Sequence, residues 1–291
     1  MAEPMALLDT HQHLIYPELF HYPWTAGIPQ LDGLGFRYED YLAASGGCGI
    51  SSTVFMETVA VIDPMEHGET GFADELAADP RSLLAGVVAS CRPENAGFSS
   101  WLDSLEGTRV VGLRRILHVE PDDLSRSDQF RENVRQLSGR GLTFDMCFLA
   151  RQLPLAFELA DACPDVSFVL DHCGVPDIAA NVLDPWREHI TRIAELPNVV
   201  CKVSGVLAYC RPDDASSEAV RPYIEHCVRS FGWNRVVWGS DWPVVNITAS
   251  FRQWVSITRE VVAGESAENQ RKLFHENARL LYGLDRVAVA R

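Results

Sequence analysis

Positive charge is in short supply in this sequence. Lys and Arg total 25 against 40 Asp and Glu over 291 residues, a formal net charge of −15. A field of that sign repels phosphate backbones and anionic membrane surfaces, which argues against nucleic acid or a membrane as partner. It also repels an anionic metabolite at long range, so such a substrate would need arginines placed at the site itself. Also missing is an apolar run of about 20 residues, the length that crosses a bilayer. The start MAEPMALLDTHQH has no basic stretch followed by an apolar one, as a secretory leader would. The eight cysteines lack zinc-ribbon spacing, and a core of this size needs no disulfide staples. A reduced, cytoplasmic chain is therefore expected, with Cys147, Cys173 and Cys201 acting as small buried hydrophobes inside apolar runs. No linker or internal repeat divides the sequence, and a homo-oligomer is left open.

Short apolar runs rich in β-branched residues recur instead. They read ALLDTHQ (6–12), STVFMET (52–58), LLAGVVAS (83–90), VVGLRRIL (110–117), TFDMCF (143–148), SFVLDHCG (167–174), NVVCKVSG (198–205) and RVVWGSDW (235–242). Continuous rather than alternating apolar character marks strands covered on both faces, as in a parallel sheet. Helical periodicity fills the intervals 37–44, 69–78, 98–105, 127–138, 153–162, 185–196, 217–230 and 250–263, with Ser127 and Ser217 as expected N-caps. Eight βα units predict an α/β fold, a single-domain (β/α)₈ TIM barrel over residues 1–291. In the last segment Leu273, Phe274, Asn277, Leu280 and Leu281 share a helical stripe, which predicts a C-terminal closing helix. The loop YPELFHYPWTAGIPQLDGLGF after strand 1 is a candidate lid; its aromatics Tyr16, Phe20, Tyr22 and Trp24 are expected to pack against each other rather than against a sugar.

Barrel enzymes build their sites at the C-terminal ends of strands, and the chemistry-bearing residues cluster there. Asp9, His11 and His13 alternate along strand 1 and are expected on one face, where the two imidazoles are either metal ligands, oxyanion donors or hydrogen-bonded core histidines. Strand 6 ends in Asp171-His172 and strand 8 in Ser240-Asp241, and a buried carboxylate is costly unless it is paired or liganded. Of Arg114 and Arg115 on strand 4, one faces the interior; an ion pair with Asp145 is its structural alternative. Glu57 ends strand 2 and Lys202 lies on strand 7; both are candidate substrate contacts. His21, His67, His118, His189, His226 and His275 follow no strand-end pattern and are read as surface or helix residues.

Taken in order, LLDTHQHL, GLRRIL, FVLDHCGVPDI, NVVCKVSG, WGSDWPV and HENARLLYGL resemble the metal-dependent-hydrolase-like barrels of the amidohydrolase superfamily, over nearly the whole chain. The nearest branch holds lactonases acting on sugar lactones and on 2-pyrone-4,6-dicarboxylate. The resemblance implies a hydrolase that opens the cyclic ester of a small sugar-acid or carboxylated lactone. It matches His11 and His13 to the first-strand pair, His172 to the sixth-strand histidine, Asp241 to the general base and Arg114 to an arginine that holds an anionic or carbonyl group. Asp145 and Cys147 stand on strand 5 where many relatives place a metal-binding His or carboxylated Lys, which argues against two metals. One divalent ion, zinc by preference, on His11, His13 and Asp241 is the expectation, though some lactonases of the branch do without a required metal. A lactone isomerase or decarboxylase on the same barrel is the alternative, and a non-catalytic metabolite-binding barrel the less favoured one.

Overall fold

The computed structural model describes residues 5–58 and 68–284. Eight parallel strands run in sequence order, each hydrogen-bonded to the next. They are β1 (Leu7–Gln12), β2 (Ile50–Met56), β3 (Leu84–Ser90), β4 (Val110–Ile116), β5 (Thr143–Cys147), β6 (Ser167–Leu170), β7 (Val199–Val203) and β8 (Val236–Trp238). The helices between and after them are α1 (Tyr38–Ser45), α2 (Gly68–Ala78), α3 (Phe98–Ser104), α4 (Asp128–Arg135), α5 (Leu153–Ala162), α6 (Trp186–Ala194), α7 (Ser217–Phe231) and α8 (Phe251–Val261). The seam between β1 and β8 is held by Asp241 N–H donating to His11 O and His13 N–H donating to Trp242 O, both at 2.7 Å. The result is the (β/α)₈ barrel that eight doubly covered strands require.

Strands 6 and 8 are shorter than their apolar runs. The backbone turns left-handed at His172 (φ 54°), Cys173 (φ 53°) and Asp241 (φ 56°), which no strand continues through. Ser127 caps α4 as expected, accepting from Phe130 N–H, whereas α7 is capped by Ser216, one residue earlier than read, with Ser217 opening the helix.

One core lies between strands and helices, and a second fills the floor of the barrel. The floor comprises Leu8, Val54, Met56, Val88, Val111 and Val237, sealed from below by Ala278, Tyr282 and Leu284. The closing segment is α9 (Ala267–Arg271), a π-turn (Lys272–Glu276) and α10 (Asn277–Leu281). That turn inserts an extra residue and rotates the stripe: Leu273 and Phe274 are buried, but Leu280 is 67% exposed and Ala278 and Tyr282 take the inner positions. The lid aromatics pack among themselves and on α2, with Tyr16 and Phe20 edge-on to Phe72 at 4.7 and 5.9 Å.

Candidate active site

An axial column of polar side chains rises from this floor to the C-terminal mouth. At its base, Tyr282 Oη donates to Asp145 Oδ2 at 3.4 Å, and Lys202, wholly buried, is ion-paired with Asp145. Lys202 Nζ also meets Asp171 Oδ1 at 3.0 Å. Asp171 in turn faces His11 Nδ1 at 3.5 Å and Arg114 Nη1 at 3.5 Å. Arg114 is gripped by Glu57 through Nε to Oε1 (2.7 Å) and Nη2 to the carbonyl oxygen (2.8 Å). Burial opposes charge throughout, yet Lys202 and His11 hold the Asp171 carboxyl well below the usual range. Asp145 is pushed up to about 6 by burial against the pull of Lys202.

Above this layer the residues expected to carry chemistry converge. His11 Nε2 lies 3.2 Å from His13 Nε2, and Asp241 Oδ1 is 3.6 Å from the first and 3.4 Å from the second. Asp241 Oδ2 is 4.0 Å from His172 Nδ1, which is hydrogen-bonded to Ser204 Oγ at 3.0 Å. Left-handed backbone at His172 and Asp241 costs about 1–3 kcal/mol at each non-glycine position and turns both side chains over the mouth. Gly205 makes room for them, since a Cβ there would stand 2.3 Å from His172 Nδ1 and 2.8 Å from Asp241 Oδ2.

The neighbours of each ring favour one tautomer. His13 Nδ1 is 3.0 Å from Met56 O, and a carbonyl only accepts, so Nδ1 carries the proton and Nε2 a lone pair. Burial keeps His11 far below the usual imidazole range, despite Asp171, so that ring is neutral. Its Nδ1 lies 3.5 Å from both the Asp171 carboxylate and the Lys202 ammonium, and in the tautomer that turns an Nδ1–H toward Asp171 the Nε2 is again a lone pair. In these tautomers three acceptor atoms, two imidazole nitrogens and a carboxylate oxygen, face one another. A tetrahedral ion bound at about 2.0–2.1 Å needs donors roughly 3.3 Å apart, and the edges of this triangle are 3.2, 3.4 and 3.6 Å. The donor set fits one zinc-like cation. His11, His172 and Asp241 form a second such set, with one donor atom each within 4.8 Å of the others.

Arg114 faces the interior as read, while Arg115 points outward to Glu94 and Glu120. The alternative Arg114–Asp145 pair does not form: Arg114 pairs with Glu57 and Asp171, because Lys202 takes Asp145. Lys202 sits beneath His11 rather than at the mouth. Asp9 does not share a face with the histidines. A register irregularity between Asp9 and Gln12 turns it outward, where it accepts from Tyr41 Oη on α1 and from Ser240 N–H. His118 is half-buried: it follows β4 and its Nδ1 is 3.2 Å from Cys147 Sγ, with burial pushing the imidazole down to about 4. Asp171 ends the strand-6 run beside His172, and the cost of burying its carboxylate is the sequence signal for its place here. Ser204 and Gly205 carried none. His67 lies outside the described residues.

The sequence pattern of the family described as amidohydrolase matches residues 8–284. An L-fucono-1,5-lactonase of Burkholderia ambifaria is 30% identical over 290 residues, 96% of each chain. Another, of Burkholderia multivorans, is 28% identical over 296 residues, 98% of each chain. Among solved structures, an amidohydrolase from Burkholderia multivorans with bound zinc superposes with a TM-score of 0.86 at 25% identity, covering 96% of this chain and 99% of that one. With barrel fold and sequence pattern in agreement over almost its full length, the chain belongs to the amidohydrolase family.

Proposed function

We propose that this hydrolase opens the cyclic ester of an uncharged, polyhydroxylated sugar lactone, with Asp241 as general base. The observation that carries the reading is the triangle of two imidazole nitrogens and a carboxylate oxygen at the mouth, with the second oxygen of Asp241 turned away from it. The names of the lactonase relatives support the same substrate class. A divalent cation held by His11, His13 and Asp241, zinc being the best match to this donor set and the ion bound in the Burkholderia multivorans structure, supplies Lewis-acid polarisation of the ester carbonyl.

Asp241 Oδ2 takes a proton from the attacking water as the water oxygen bonds to the acyl carbon. The acyl–oxygen bond of the ring then breaks and the same proton passes to the leaving alkoxide. His172, tethered through Nδ1 to Ser204, orients the water or a sugar hydroxyl with its other ring nitrogen. Arg114 Nη1, 3.3 Å from His11 Nε2, would supply a cationic donor to the acyl oxygen. Glu57 and Lys202 act through Arg114 and His11 rather than on substrate.

Charge selects among lactones. In the column, Arg114 and Lys202 are set against Glu57, Asp145, Asp171 and Asp241, a formal balance of two minus four, or −2. A divalent cation cancels that balance and leaves no spare positive charge for a substrate carboxylate. A neutral lactone is favoured over a dicarboxylate such as 2-pyrone-4,6-dicarboxylate. An indicator assay of metal-replete protein against both classes checks this: base consumption with neutral aldonolactones is expected. A flat response across the panel, or carbon dioxide release from the carboxylated compound, would point to the decarboxylase reading.

A further inference from the structure

Behind the wall of the chamber, on the helix side of β6 and β7, lie three cysteines that the lactone chemistry does not use. Cys173 follows His172 in the turn after β6, Cys201 is on β7, and Cys227 is on α7. Lys202 points into the barrel, so its neighbour Cys201 points out, toward the helix layer. All three are free thiols with no exposed surface. Their sulfurs lie within 4.8 Å of one another, and among the described residues no histidine or carboxylate joins the group. Trp186 roofs the turn, its Nε1 donating to Cys173 O at 2.8 Å.

We propose that Cys173, Cys201 and Cys227 form a buried, all-sulfur site for one soft cation, with Cu(I) as the matching chemistry. Thiolate donors select soft ions and leave hard divalent cations such as Mg²⁺ and Ca²⁺ to oxygen sites. Zinc completes structural sites with four ligands, and this group offers three. Sulfurs sharing an ion at about 2.3 Å sit roughly 4 Å apart, a separation this cluster reaches with small side-chain adjustments. Copper arrives and stays as Cu(I): each new Cu–S bond displaces a thiol proton to solvent, and no electron is transferred. The ion ties α7 to the barrel wall. It also draws on Cys173, whose left-handed backbone (φ 53°) continues directly from that of His172 (φ 54°), so occupancy displaces the imidazole facing Asp241.

The test is anaerobic titration of the full, reduced protein with Cu(I) against a colorimetric Cu(I) chelator, with X-ray absorption on the product. The expected result is one tightly held equivalent with sulfur-only coordination. A variant carrying Cys173→Ala, Cys201→Ala and Cys227→Ala should lose that equivalent. Cys201→Ala with Cys227→Ala, which leaves the turn beside His172 intact, should lose it too and keep its copper-free turnover. Uptake unchanged in either variant, or nitrogen and oxygen ligands in the spectrum, overturns the site. One equivalent of Cu(I) should lower wild-type kcat several-fold and spare the double variant. Copper-bound protein with undiminished turnover overturns the link to His172.

Discussion

The two oxygens of Asp241 look in different directions, Oδ1 to the imidazoles of His11 and His13 and Oδ2 toward His172. One carboxylate can therefore help to hold a cation and still accept a proton on its other side. Asn retains the shape and the Oδ1 contact but cannot take the proton. Asp241→Asn is expected to bind substrate with similar affinity while kcat falls by roughly 10²–10⁴, read by steady-state kinetics on folded protein. Near-normal kcat would remove the base from this residue. The four residues of this cluster were legible in the sequence because each is a histidine or carboxylate at the end of a buried run, where such a side chain is expensive. Their partners were less so. Asp9 and Asp171 both sit beside a site histidine, but an irregular register turns the first outward and a left-handed turn leaves the second inside. Neither event is written in residue type.

At the scale of elements, boundaries fell where backbone conformation rather than hydropathy decides. The apolar runs of strands 6 and 8 continue into residues whose positive φ ends the strand, and the Leu280 stripe fails because the π-turn shifts the inner face by one position. That shift separates two leucines that a regular helix would place together. Leu273→Ala should cost about 2–5 kcal/mol in denaturant unfolding, whereas Leu280→Ser should stay within about 0.5 kcal/mol. Equal losses would restore the regular helix. The first turn of α2 carries a different kind of signal. Glu69 is buried against the end of β2, where Thr58 N–H donates to its Oε2 at 2.9 Å. Burial, reinforced by the charge of Glu57, pushes its carboxyl up to about 8 from 4.5. The native state then holds a proton that the unfolded chain has released, so stability from this group is complete below pH 4.5 and declines as pH rises toward about 8. Asp9, Asp145 and His118 complete their changes below about 6.5. The contribution of Glu69 approaches about 1.4 kcal/mol per pH unit above about 6.5, and the difference between wild type and Glu69→Gln should show it. Parallel pH profiles for the two proteins would show that Glu69 is ionised in the fold.

For the molecule as a whole, eight doubly covered strands with helices between them leave few arrangements other than a closed barrel, and closure is what turns separate strand ends into one chamber. What hydropathy could not convey is how charge is distributed along the barrel axis, since Lys202, Asp145, Asp171, Arg114 and Glu57 come from five different strand regions and meet only after closure. Their formal excess of carboxylate lies within a protein of net charge −15, so the local and the global field have the same sign. An uncharged lactone feels neither. An anionic one is repelled on approach, and salt relieves that repulsion as the Debye length shrinks from about 30 Å at 0.01 M to about 8 Å at 0.15 M. The expected outcome is that kcat/KM for a neutral aldonolactone stays within about twofold across this range, while any residual rate with a carboxylated lactone climbs as salt is added. Because screening acts mainly on encounter, the climb should appear in kcat/KM and leave kcat nearly unchanged. A carboxylated lactone that is preferred at low salt and slows as salt is added would mean that Arg114 presents net positive charge to the chamber, and the neutral-substrate reading would fall with it.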